Sequence, residues 1–178
     1  MAGREILVFD TGPLSHFARQ SWLGVLKAVV GERQALIPDV VVDELSQGAQ
    51  QDSRLQQVLD ADWIERRSLV TDEEVAAFAR FSALLVTGSR NLGEAGVLAL
   101  AAVTGGVAVV DDGAARRAAD ANRVAKRPTL ALLCEAIRSD LLTVKLVSAI
   151  ADDLMATQYR LPFDSGGFAA WARDQGLA

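Results

Sequence analysis

The spacing of apolar and polar residues changes period many times along this chain, and each change marks an element. The run Ile6-Leu7-Val8-Phe9 within residues 5–9 is short, apolar and followed by Asp-Thr-Gly-Pro, which predicts a buried strand ending in a turn. Pro13 suits the first turn of a helix through Leu14, Phe17 and Ala18. A second helix is predicted from Ser21 to Val30, stopped by Gly31, and a short strand at 35–37. Pro38-Asp39 then opens a helix carrying Val41, Glu44 and Leu45, with Asp39 as its N-cap and Gly48 at its end. The polar segment Gln50–Asp60 has Leu55, Val58 and Leu59 at helical spacing, and Trp63-Ile64-Glu65-Arg66 reads as a minor strand. Thr71 and Glu74 form a capping box for the next helix. Asn91-Leu92-Gly93-Glu94 precedes a helix to Val103, a strand follows at 107–110, and a helix runs from Asp112 through Ala119. Lys126-Arg127-Pro128 is a break, Thr129 caps a helix to Ser139, and Leu146–Met155 carries another.

The order β-α-α-β-α-α-α-β-α has few hairpin signals, so the sheet is expected to be parallel with helices on both faces. No internal repeat or low-complexity tract interrupts it. The stretch Phe163–Ala178 contains Gly166-Gly167 and a short amphipathic piece around Phe168 and Trp171. The expected organisation is a main domain over residues 1–162 and a C-terminal appendage, 163–178, that packs on the domain or on a partner.

Composition narrows the functional classes. Of 178 residues 51% are apolar, which suits one folded domain with a good core. The net charge of −5 argues against a free-standing, strongly basic nucleic-acid binder, although a local basic stripe is compatible with it. The single cysteine, Cys134, lies in an apolar run; it reads as a buried structural thiol and points to a reducing compartment. Asp10 interrupts the first apolar stretch too early for a signal peptide. The longest apolar run, Ala95–Val110, is broken by Gly105-Gly106 and is too short to span a bilayer. A cytoplasmic protein with no membrane partner is the expectation.

The chemistry rests on carboxylates. Asp10 follows the first strand, Asp111 and Asp112 follow the late strand, and Glu44 and Glu94 lie near helix starts. If the two strands are parallel neighbours, Asp10 and Asp111 meet at one sheet edge, where open α/β proteins place their sites. Clustered like charges are costly unless a cation or protons neutralise them, and all-oxygen ligation suits Mg²⁺ or Mn²⁺. The reading is a metal-dependent hydrolase acting on phosphate esters. His16 is the only histidine, which excludes mechanisms needing a histidine pair; Ser15 beside it points elsewhere on a helix. No G-x-S-x-G, H-E-x-x-H, CxxC, phosphate-binding Gly-Lys-Ser/Thr loop or G-x-G-x-x-G is present. Metal-assisted hydrolysis needs no 2′-OH, so the residues alone leave RNA and DNA open.

Each acid also has a plainer reading. Asp10 is then a turn former, Glu44 an exposed helix acid, Glu94 the third position of a capping box begun by Asn91, and Asp112 a helix cap. Asp111, ending an apolar strand, is hardest to explain away. Arg116 and Arg117, one turn past the acids, are candidates to meet a substrate backbone; their alternative is solvated helix charge.

Four pieces in order carry a resemblance: "ILVFDTGPLSHFA" at the N-terminus, "IPDVVVDEL" at 37–45, "NLGEAGVLALA" at 91–101 and "VAVVDDGAARRAA" at 107–119. With the tail "LLTVKLVSAIADDLMATQYRL", the chain resembles PIN-domain nucleases over about residues 4–162, in particular VapC-like toxins of toxin–antitoxin pairs. The resemblance implies a three-layer α/β/α fold around a parallel sheet and a Mg²⁺- or Mn²⁺-dependent endoribonuclease. It implies Asp10, Glu44, Glu94, Asp111 and Asp112 as catalytic acids, with Asp10, Glu94, Asp111 and Asp112 as metal ligands, the principal acid after the late strand being either Asp111 or Asp112. Thr11 stands where the family often has a small polar residue supporting the site. RNA as substrate, a small antitoxin and a homodimer are implied partners. The departure is Arg127-Pro128-Thr129, where a glycine is expected before the threonine. Two rivals are a non-catalytic PIN-like binding or scaffold protein and a haloacid-dehalogenase-type phosphatase. The complete set of acids argues against the first. The second resembles D-x-D-G-T, whose second aspartate is replaced here by Gly12.

Overall fold

Four strands, β1 (Ile6–Phe9), β2 (Gln34–Pro38), β3 (Ile64–Arg67) and β4 (Val107–Val109), make one parallel sheet in the order β3-β2-β1-β4. The computed structural model describes residues 4–88 and 90–177. Strand β1 is central: Leu7 pairs with Ala35 of β2 on one side and with Val107 of β4 on the other. Leu7, Val8 and Phe9 are fully buried, so consecutive side chains meet packed helices on both faces of the sheet. Strand β3, with Glu65 and Arg66 exposed, closes one edge with charge. Beyond β4 an extended segment takes over the other edge, Ala108 N–H donating to Ala125 and Arg127 N–H to Ala108, both at 2.8 Å.

Ten helices flank the sheet among the described residues: α1 (Thr11–Arg19), α2 (Leu23–Val30), α3 (Asp39–Gln51), α4 (Gln56–Leu59), α5 (Asp72–Leu85), α6 (Leu92–Thr104), α7 (Gly113–Ala121), α8 (Thr129–Arg138), α9 (Val144–Ala156) and α10 (Phe168–Asp174). The expected parallel α/β architecture is therefore observed, but the order differs: the segment around Ile64, read as a minor strand and left out of the expected order, joins the sheet as β3 between α4 and α5. Several ends differ, each for a physical reason. Gly48 does not stop α3, which runs on to Gln51; a Cβ at Gly48 would lie 2.7 Å from Leu55 Cδ1, so this glycine serves close packing. Pro38, not Asp39, holds the N-cap position of α3, because the strand runs straight into the helix. The polar segment 50–60, with Leu55, Val58 and Leu59 at helical spacing, divides into the end of α3, a 3-10 turn at Ser53–Leu55 and α4. The capping box before α5 is formed as expected: Thr71 Oγ1 accepts from Glu74 N at 3.2 Å, and Glu74 Oε2 accepts from Thr71 N at 2.9 Å.

Helix α6 organises the core. Its residues Ala95 to Ala101 are all buried, and it touches α3, α5, α7 and strands β1, β2 and β4. Such all-round apolarity is what a helix enclosed by neighbours requires. Gly96 permits its closest approach, for a Cβ there would lie 2.3 Å from Val40 Cγ2 and 3.3 Å from Pro38 Cγ. At the C-terminus α10 packs on α9, with Phe168 buried and its ring 5.5 Å from Phe163 and 5.8 Å from Trp171. Asp152 Oδ1 on α9 pins the connecting loop by accepting from Ser165 Oγ at 3.0 Å and Gly166 N at 2.7 Å. Among the described residues no helix is long and apolar enough to cross a membrane.

Gly96 yields a test of this packing. In an open helix, Gly→Ala stabilises by about 1 kcal/mol. Here the added methyl meets Val40, whose branched side chain is stiff, and overpacking costs about 1–3 kcal/mol. The expected result for Gly96→Ala is a net loss on the order of 1 kcal/mol in urea denaturation. An equal or higher midpoint would show that the junction of β2 and α3 yields freely.

Candidate active site

Asp10 is the first residue after β1, and its backbone N–H donates to Val109 O at 3.2 Å. That bond carries the ladder one residue further and sets Asp10 at the C-terminal ends of β1 and β4, beside the start of α1. It is 8% exposed, and its Oδ1 is buried with no hydrogen-bond partner among the described residues. Burial, and then the charge of Glu94 with a smaller contribution from Glu44, hold its carboxyl well above the usual carboxylate range. The backbone N–H groups of Thr11 and Gly12 offset part of this without forming a regular side-chain cap.

Glu44 reaches this place from α3 and Glu94 from the first turn of α6. The Glu44 carboxylate accepts from Gly93 N at 3.0 Å and, through a short contact, from the Thr11 hydroxyl. It thereby satisfies an N-terminal donor of α6 from a different helix, where that helix's dipole favours a negative charge. Gly93 is what lets it approach: a Cβ there would lie 2.6 Å from Glu44 Oε2. The plain reading of Glu94 as part of a capping box does not hold. Asn91 adopts a left-handed conformation (φ 66°), makes no side-chain cap, and donates its side-chain amide to Leu85 O at 2.9 Å. Burial raises the Glu94 carboxyl, its own backbone N–H opposes that, and the charges of Glu44 and Asp112 raise it further.

Asp111 and Asp112 part company. Their hydrogen bonds commit them to the starts of two different helices. Asp112 caps α7, its Oδ1 accepting from Ala114 N at 2.8 Å and Ala115 N at 2.9 Å, while its charge bears on Glu94. Asp111 turns to the start of α8, accepting from Thr129 N at 2.8 Å and from the Thr129 hydroxyl at 2.7 Å. Thr129 is thus not the cap of α8; Pro128 holds that position and the threonine side chain is spent on Asp111. The Tyr159 hydroxyl lies against the same carboxylate, and burial together with the Asp111 charge raises the phenol far above its ordinary value. Tyr159 escapes a reading by spacing because it follows α9, where no periodic pattern marks it. His16 Nδ1 lies 2.6 Å from the Thr157 hydroxyl and its ring meets Tyr159 edge-on at 5.0 Å. Burial and then Arg19 lower the His16 imidazole, which fits a packing role.

The structure therefore brings Asp10, Glu44, Glu94, Asp112 and Thr11 toward one point and places Asp111 on its flank with Thr129 and Tyr159. Arg116 lines the flank beside Asp111 and Tyr159. Arg117 is exposed and folds back over Gly113, where a Cβ would lie 3.2 Å from its Nη1. No three Asp, Glu, His or Cys among the described residues stand close enough to enclose a metal ion as placed. The donors still suit a hard cation. Asp10 offers a buried oxygen without a partner among the described residues, and the charge of Glu94 disfavours its ionised form, which a divalent cation would relieve. Mg²⁺ is commonly held by one or two carboxylates and water rather than by a full protein cage.

A protein-family model described as a PIN domain matches residues 6–165 of the chain. No curated protein matches it. Among solved structures, a chain in the crystal structure of VapBC2 from Rickettsia felis, bound to a DNA fragment from their promoter, is similar with a TM-score of 0.51. The two share 14% identity over 69% of this chain and 98% of that one, a likeness of fold.

The raised carboxyls fix the sign of a pH effect. A carboxyl with a higher pKa folded than unfolded makes the folded state hold more protons, so stability falls as pH rises from about 4 through the folded value. For metal-free protein, Asp10→Asn is expected to gain stability relative to wild type as pH rises from about 4 to about 7, with the two converging at the acid end. Paired urea melts across this range would show it; a difference independent of pH would remove the strained-carboxylate account.

Proposed function

This chain belongs to the PIN-domain family, and from that premise we propose that it is a Mg²⁺- or Mn²⁺-dependent endoribonuclease serving as the toxin of a toxin–antitoxin pair. The observation that carries the reading is the buried Oδ1 of Asp10, without a partner among the described residues and under the charge of Glu94, at the C-terminal ends of the central strands. A folded protein retains such a pair at a cost in stability, and the cost is understandable where a cation is bound. Asp10 and Glu94 would hold it, with Asp112 the next acid in reach. The chemistry a bound Mg²⁺ or Mn²⁺ supplies is stabilisation of charge on phosphate oxygens and activation of water at neutral pH.

The chain's own residues do the positioning. Glu44, fixed by Gly93 N and Thr11, holds the start of α6 so that Glu94 faces Asp10. Asp112 orders the start of α7 and adds negative charge beside Glu94. Asp111 anchors the end of β4 to α8 through Thr129 and sets the flank of the site. RNA rather than DNA as substrate, a small antitoxin partner and a homodimer are part of the proposal. The fold likeness to a chain of the VapBC2 complex supports the antitoxin.

The test is cleavage of single-stranded and structured RNAs, with matched DNA, in Mg²⁺, Mn²⁺ or EDTA. Wild type is expected to cut RNA only with metal. Asp10→Asn and Glu94→Gln should each lose at least about 100-fold, and Glu44→Gln about 10- to 100-fold, as supporting groups at metal sites commonly do. Mg²⁺ should also raise the melting temperature of wild type and leave that of Asp10→Asn unmoved. Antitoxin-free protein that neither cuts in any metal nor responds thermally to one would establish the alternative, a non-catalytic PIN-like binding protein.

A further inference from the structure

Beside the acids lies a cleft of about 470 Å³ that none of the proposed chemistry uses. It opens at Asp111 and is bounded by α8 and by the segment after α9, with Trp171 of α10 on its wall. Its volume falls within the range of about 300–1,000 Å³ usual for sites that hold small organic groups. Three guanidiniums line it from three different elements: Arg116 on α7, Arg138 at the end of α8 and Arg160 after α9. None of the three makes an ion pair among the described residues. The single carboxylate on the lining, Asp111, already accepts two hydrogen bonds from Thr129. On a chain of net charge −5 this is a local excess of positive charge around an apolar slot.

Trp171 gives the slot a second kind of chemistry. Its ring lies 5.4 Å from Phe163 and 5.8 Å from Phe168, and Phe168 is buried, so the indole is braced from behind. A rigid aromatic wall with guanidiniums around it is what a single nucleotide requires: a surface for the base and donors for the phosphate. The family match ends at residue 165, so Trp171 lies outside it and the cleft is closed by this chain's own C-terminal segment.

We propose that this cleft is a nucleotide subsite of the candidate nuclease, taking one unpaired nucleotide of an RNA strand next to the scissile bond, with its base against Trp171 and its phosphate among Arg116, Arg138 and Arg160. The proposal rests on the nuclease reading and extends it to single-stranded substrate. In it the C-terminal segment 163–178 packs on the domain in order to complete the substrate groove.

The test separates the two readings by measuring binding without cleavage. A short fluorescent single-stranded RNA is titrated into the full chain in EDTA at several salt concentrations. The variants are Trp171→Leu, which keeps apolar bulk under α10, and the double variant Arg138→Gln/Arg160→Gln at exposed positions. Lys145→Gln on α9 is the control for loss of a charge elsewhere. Trp171→Leu is expected to bind about tenfold more weakly, and the double variant to lower the salt dependence by about one phosphate contact, with Lys145→Gln unchanged. An RNA duplex should not show the Trp171 effect. Wild type that cuts RNA with metal but binds no better than either cleft variant overturns the subsite and leaves the nuclease standing. Wild type that binds through the cleft and never cuts supports the subsite and removes the nuclease. Failure of wild type to bind RNA in EDTA overturns the subsite, with cleavage in metal deciding the nuclease separately, and loss of binding to a co-purified antitoxin alone would make the cleft a protein-docking surface instead.

Discussion

A carboxylate buried at the end of the central strand is the constraint on which the rest of the arrangement depends. Asp10 is placed there by β1, whose register is fixed on both sides by parallel neighbours and carried one residue further by the backbone bond to Val109. Its Oδ1 has no partner among the described residues, and Glu94 and Glu44 add like charge. The surrounding structure is built so that these charges persist side by side. Glu44 is tied to a helix N-terminus, Asp112 caps another, and Thr11 joins α1 to α3 through the Glu44 carboxylate. Burial and neighbouring charge raise the carboxyls of Asp10 and Glu94, and the charge of Glu94 bears on Asp10.

The separation of Asp111 from Asp112 divides labour between neighbours that composition treats as equivalent. Asp112 belongs electrostatically to Glu94, whereas Asp111 belongs to Thr129 and Tyr159 and so to α8 and the chain after α9. The result is one acidic centre with a flank that carries arginines and aromatic rings. Acid and base are thus kept apart on a small surface: anions where a cation can serve, cations where a polyanion can lie.

Much of the fold is legible in the residues. Ile6-Leu7-Val8-Phe9 and Val107-Ala108-Val109 read as buried strands because parallel strands need apolar side chains on both faces, and the Thr71–Glu74 box announces α5 by local hydrogen bonding alone. The positions of Asp10, Glu44 and Glu94 relative to their elements follow from the same patterns. What spacing cannot carry is side-chain commitment across the fold. Nothing local says that Thr129 will bond Asp111 rather than cap its own helix, that Asn91 will turn left-handed and leave the α6 terminus to Glu44, or that Gly48 will sit inside a helix to admit Leu55. Tyr159 and the wall around Trp171 are likewise set by where the chain returns, not by its period.

The bonds that fix Glu44 join residues 33 and 49 positions apart in the chain, so its place in the acidic centre is not a local structure. Contacts of that separation close large loops and are slow to nucleate. Synthesis from the N-terminus makes Asp10 and Glu44 long before Asp112, and the Thr129 that orders Asp111 later still. A growing chain therefore carries Asp10 and Glu44 well before their partners, and can assemble the acidic centre only once the start of α7 has emerged from the ribosome.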